Sequence, residues 1–148
     1  MTYISSVLAT LVVGTVFSGL AIAGDAEAGK QKAAQCAACH GADGNSVNPE
    51  WPSIAGQNER YFVNTLQAFK DGKRSNVLMS AQAMGLNEDD MANLAAYFAA
   101  QVPARRTADP DLAEDGADLY RGGNLETNVS ACIACHGPAG RGNAPAGY

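Results

Sequence analysis

The chain is 148 residues long and 47% hydrophobic, and 10 Lys and Arg stand against 15 Asp and Glu for a formal charge of −5. That length holds one ordinary domain or two small ones, and the acidic balance disfavours nucleic acid, whose phosphates need a concentrated positive surface. With only four Cys and two His present, any chemistry built on them draws on six residues.

Residues 1–23 read as an export signal. No charge occurs from Ile4 to Ala23, the apolar stretch from Val7 to Leu20 is diluted by Ser, Thr and Gly, and it closes on Ala21-Ile22-Ala23. This pattern predicts cleavage before Gly24. An uncleaved anchor is the alternative, since no Lys or Arg precedes Lys30 and the run is just long enough to reach across a bilayer. Export delivers the rest of the chain to an oxidising compartment, where idle thiols form disulfides.

Beyond the signal, "GDAEAGKQKAAQC" predicts a short helix entering the first Cys pair, with Asp25 and Glu27 at its positive end. Residues 41–58, rich in Gly, Asn, Pro and Ser, predict a loop. In "ERYFVNTLQAFKDG" the spacing of Phe62, Leu66 and Phe69 predicts an amphipathic helix stopped at Gly72. The stretch "KRSNVLMSAQAMG" is read as irregular. Asn87, with Asp90 three residues on, is the expected N-cap of a further helix, whose Met91, Leu94, Ala95 and Phe98 form one buried stripe. Pro103 stops it. Residues 102–110 are read as a linker, and "DLAEDGADLYRGG" opens a second unit with another short helix.

All four cysteines and both histidines fall into two copies of Cys-x-x-Cys-His, at 36–40 and 132–136. Two cysteines three apart lie on one helical turn, and a histidine directly after them can turn its ring toward whatever the sulfurs hold. Haem attached through two thioether bonds accounts for every residue of the motif. Cys36 and Cys39 would therefore tether one haem c, ligated by His40, and Cys132 and Cys135 a second, ligated by His136. Zinc would require the pairs to converge from Cys39 to Cys132, far beyond ordinary ligand spacing, and leaves the histidines unexplained. A thioredoxin-like pair lacks βαβ surroundings, and a disulfide across three residues closes almost no loop.

An iron held by one imidazole has an opposite face, and a thioether there raises its potential and suits electron transfer. Met79, Met84 and Met91 are the candidates. Met91 falls on the apolar stripe and reads as core. Met79, expected in an irregular loop able to drape over a flat cofactor, is preferred to Met84.

With these residues placed, "CAACHGADGNS", "WPSIAGQNERYFVNTLQAFKDGKRSN", "MSAQAMGLNEDDMANLAAYFA" and "LYRGGN" resemble blocks of the dihaem cytochrome c4 family. The resemblance covers the first unit and the start of the second. It implies an all-α fold of tandem small cytochrome c domains, the first complete at 24–101 and the second partial at 111–148. It also implies Met79 as axial ligand, and a hydrogen bond from the His40 ring N–H to the Pro52 carbonyl in a Pro-x-x-x-Gly segment ending at Gly56. A whole second domain would bring its own axial methionine, yet no Met follows Met91, so the chain is expected to be a fragment.

The function expected is periplasmic electron transfer. The protein, soluble or loosely membrane-associated, would pass single electrons between a respiratory donor complex and a terminal oxidase or reductase. It would not be an enzyme, because both histidines are committed to iron and no acid/base pair stands out. Two alternatives remain open: the cytochrome subunit of a dehydrogenase such as a flavocytochrome, and a peroxidase-like haem enzyme with an open site on the second iron. A small first unit needs a staple, and an anchored haem supplies an apolar body for Phe62, Leu66, Leu94 and Phe98 to cover.

Overall fold

A computed structural model describes residues 24–146. The export signal read over residues 1–23 lies outside them. Among the described residues seven helices follow in order: α1 (Ala26–Lys32), α2 (Ala34–His40), α3 (Glu59–Lys70), α4 (Val77–Met84), α5 (Glu88–Ala99), α6 (Pro110–Gly122) and α7 (Ile133–His136). A 3-10 turn at Ala144–Ala146 comes last, and among the described residues the sole β feature is an antiparallel bridge between Asn124 and Val129. No helix among them is long and apolar enough to cross a membrane.

Side chains start α1, α3, α4, α5 and α6. The Asp25 carboxylate accepts from the backbone N–H groups of Glu27 and Ala28 at 2.8 and 3.3 Å, beginning α1 as its composition leads one to expect. Asn87 and Asp90 close a reciprocal capping box at α5, with distances of 2.7 and 3.1 Å. The expected linker ends one residue early, because Asp109 caps α6 and Pro110 is its first residue, a position that needs no N–H donor.

One segment departs from its reading. Residues 77–84, taken as irregular, form α4, started by the Asn76 side chain accepting from Leu78 and Met79 N–H at 3.1 and 3.0 Å. Leu, Met, Ala and Gln are strong helix formers. The helix escapes a periodicity test because it buries only Ala83 and leaves Val77, Leu78 and Met84 exposed.

The core lies in the first unit. Phe62, Leu66 and Phe69 of α3 meet Met91, Leu94, Ala95 and Phe98 of α5, with Ala33, Ala83 and Leu86 completing the cluster. The Phe62 and Phe98 rings stack at 5.6 Å. α1 crosses α5 almost backbone to backbone. A Cβ on Gly29 would lie 2.0 Å from the Asn93 carbonyl oxygen, so only glycine permits this approach. Asp25 N–H donates to Asn93 Oδ1 at 2.7 Å, and Lys32 pairs with Asp90 at 3.0 Å across the same crossing. α6 and α7 bury no residue.

Candidate haem centres

Cys36, Cys39 and His40 all ride on α2, so the first motif is a helical turn, as its spacing requires. Cys36 packs half-buried against the core cluster. Burial pushes its thiol up from the ordinary value, and the neighbouring Cys39 adds to the effect, which keeps it neutral. No disulfide joins the two.

His40 is buried, and its Nδ1 lies 2.8 Å from the Pro52 carbonyl oxygen, the contact implied by the family resemblance. A carbonyl oxygen can only accept. Nδ1 must therefore carry the proton, leaving Nε2 with its lone pair, the form in which a neutral imidazole binds metal. The chain returns under the ring through Gly41 and Gly44, whose φ values of 81° and 80° lie in the left-handed region. The Gly44 carbonyl then accepts from Ile54 and Ala55 N–H at 2.7 and 3.0 Å, drawing the Pro52–Gly56 segment inward.

The three methionines sort by burial. Met91 is 1% exposed and belongs to the core, Met84 is 64% exposed, and Met79 packs half-buried against the same cluster as Cys36. Met79 sits in the first turn of α4 and not in a loop, which corrects the reason given for preferring it while leaving it beside the core.

At the second motif Cys132 caps α7, and Cys135 and His136 lie on it. The turn behind the first motif recurs here: Gly137 and Gly140 have φ values of 73° and 67°, and Gly140 N–H donates to Gly137 O at 3.2 Å as Gly44 N–H does to Gly41 O at 3.1 Å. Tyr120 of α6 donates to the Gly137 carbonyl. Among the described residues the two Cys pairs do not gather into a metal cage, which removes the geometry a shared zinc would need.

The donor set fits a covalently held haem. It offers thiols one turn apart, an imidazole with its Nε2 lone pair oriented by a carbonyl, and a thioether on the cluster that Cys36 touches. What sequence reading missed is the polar frame around the first motif. Ser46 is buried, with its hydroxyl 3.2 Å from the Cys39 carbonyl oxygen, and its N–H donates to Ser53 Oγ at 3.1 Å. A serine in a Ser/Asn/Pro-rich loop gives no sign of such burial.

A cytochrome c family profile matches residues 26–101. Cytochrome c4 of Pseudomonas aeruginosa is 46% identical over 145 residues, spanning 97% of this chain and 72% of that relative. The chain belongs to the cytochrome c4 family. The crystal structure of reduced cytochrome c4 from Pseudomonas stutzeri superposes with a TM-score of 0.80 at 44% identity, over 85% of this chain and 71% of that one. A thiosulfate dehydrogenase electron acceptor from Thiomonas intermedia is 36% identical over 141 residues, 92% of this chain and 64% of the relative. The all-α, tandem cytochrome c architecture read from the sequence is the one this family has. As a cytochrome c4 relative the protein is a c-type cytochrome, an electron carrier with covalent haem c.

Proposed function

We propose that the protein carries single electrons in the periplasm between a respiratory donor and a terminal oxidase or reductase, using two haem c groups. In this reading residues 1–23 direct export, 24–101 and 111–148 are cytochrome c units, and 102–110 joins them. Cys36 and Cys39 would tether the first haem, with His40 and Met79 as the residues to hold its iron, and Cys132 and Cys135 would tether the second, held by His136. A bound haem c supplies an iron that cycles between ferric and ferrous states without exchanging atoms with a substrate.

The observation that carries this reading is the His40 ring, held through Nδ1 by Pro52 so that Nε2 is left for a metal. The chain's own contribution is to fix that ring, to surround it with apolar side chains and to place a thioether on the same cluster.

Mass spectrometry of the protein from a host with a working haem-attachment system is expected to show two added haems, and unmodified thiols would overturn the reading. Met79→Ala is expected to abolish the sulfur-to-iron charge-transfer band of the first ferric haem. Met84→Ala is expected to leave it in place.

A dehydrogenase partner is the second reading, favoured by the likeness to the Thiomonas electron acceptor. Copurification with a dehydrogenase, and reduction by it in the presence of its substrate, would select that version.

A further inference from the structure

We propose that Arg106, in the segment between the two motifs, is a positioning residue for His40, clamping the Ser46–Ser53 loop whose Pro52 carbonyl sets the imidazole. The inference rests on the haem reading above. The Arg106 guanidinium donates from Nη2 both to the Ser46 carbonyl and, at 3.1 Å, to Ser53 Oγ. Those two acceptors stand at the ends of the loop. Ser53 directly follows Pro52, and Ser46 is the buried residue whose hydroxyl reaches the Cys39 carbonyl, one residue before the histidine. The result is a closed frame: Cys39 and His40 on one side, Ser46 and the Pro52–Ser53 peptide on the other, and a cation from sixty residues away across the gap.

The segment that carries Arg106 is itself fastened. Asn45 donates from Nδ2 to the Val102 carbonyl at 3.0 Å and accepts from Ala104 N–H at 2.7 Å, pairing with that strand of chain as a backbone would. Asp43 holds the Asn45 amide at 2.9 Å, and those hydrogen bonds keep its carboxyl below the ordinary carboxylate range. Arg106 is thus aimed from a fixed base. Arginine suits the task because it stays charged and its planar Nη2 carries two N–H groups in fixed directions, one for each oxygen, whereas an ammonium acts as a point charge. Arg105, next to it, is exposed as Arg106 is, but makes no hydrogen bond among the described residues. It carries the same charge without the clamp.

A histidine whose Nδ1–H is held firmly by a carbonyl is a more basic ligand. Loosening Pro52 weakens that bond, makes the ring a poorer donor to ferric iron and raises the potential. Loss of a nearby positive charge has the opposite sign, so Arg105→Ala serves as the control for charge. The experiment uses the reduced holoprotein, with exchange of the His40 Nδ1 proton followed by NMR and the potential of each haem measured. Arg106→Ala is expected to speed that exchange by roughly tenfold, and to leave the first haem at a higher potential than in Arg105→Ala. The second haem should be alike in both variants, and Arg106→Lys should recover part of the effect. Equal behaviour of Arg106→Ala and Arg105→Ala at the first haem overturns the proposal. Should Arg106→Ala not mature, Arg106→Gln, which removes the same charge and shortens the reach to both oxygens, is read in the same way. Wild-type protein without covalent haem would sink the underlying reading instead, and is seen before any variant is made.

Discussion

The two Cys-x-x-Cys-His motifs invite comparison because their chemistry is the same and their settings are not. His40 is 8% exposed and closes a seven-residue helix that packs into a cluster of three aromatic rings and their neighbours. His136 ends a four-residue helix and is exposed, while Tyr120 of α6 donates to the carbonyl of the glycine that follows it. Even the glycine turn that follows each histidine is repeated. The motif and its turn are therefore local structure, set by the residues themselves, whereas burial is supplied by helices far away in the chain. Spelling alone makes a motif; α3 and α5 make the first one a site.

That contrast can be broken in several places. The largest effect is expected from the tethers: Cys36→Ala with Cys39→Ala should remove one haem and the cooperative unfolding transition of residues 24–101. Cys132→Ala with Cys135→Ala should remove one haem and leave that transition in place, as read by circular dichroism and haem stoichiometry. Next comes the core. Phe98, fully buried and stacked on Phe62, is expected to cost about 3–5 kcal/mol as alanine, while Leu119→Ala on α6 should stay within ~0.5 kcal/mol in the same denaturant titration.

Two glycines sharpen the comparison with opposite signs. Gly29→Ala forces a methyl group onto the Asn93 carbonyl and is expected to destabilise by about 1–3 kcal/mol. Gly116 of α6 has nothing within 4 Å of its would-be Cβ, so Gly116→Ala should stabilise α6 by about 0.5–1 kcal/mol. Smallest is Asp90→Asn, at about 0.5 kcal/mol. Hydrogen bonds from Lys32 and then from the Asn87 backbone hold the Asp90 carboxyl below its ordinary value. Its contribution is therefore present above that ordinary value and disappears as pH falls through the lowered one. Wild type and variant should differ near neutrality and converge in acid, and a gap that persists below that window would show that the carboxylate is not its source.

The same contrast explains what could be read in advance. α3 and α5 announce themselves because Phe62, Leu66 and Phe69, and then Met91, Leu94 and Phe98, repeat at the period of a helix that has one wet face. The motifs announce themselves because their spacing leaves a single economical chemistry. α4 was missed because its apolar residues Val77 and Leu78 are exposed and its buried residue is an alanine, so no stripe marks it. Asn76, its cap, was the available signal. The joint grip of Asn45 and Arg106, which ties the segment after α5 to the loop behind the first motif, was out of reach for another reason. These bonds span 53 to 60 residues and depend on where a loop comes to rest, which composition does not encode.

The bare crossing of α1 over α5 also sets an order of events. Gly29 finds its partners only once Asn93 and Tyr97 exist, so a chain produced amino end first shows Cys36 and Cys39 to its surroundings well before the unit can shut. The time needed to deliver the intervening chain is an interval of access, closed by the arrival of the last helix, in which an attaching catalyst can reach both sulfurs.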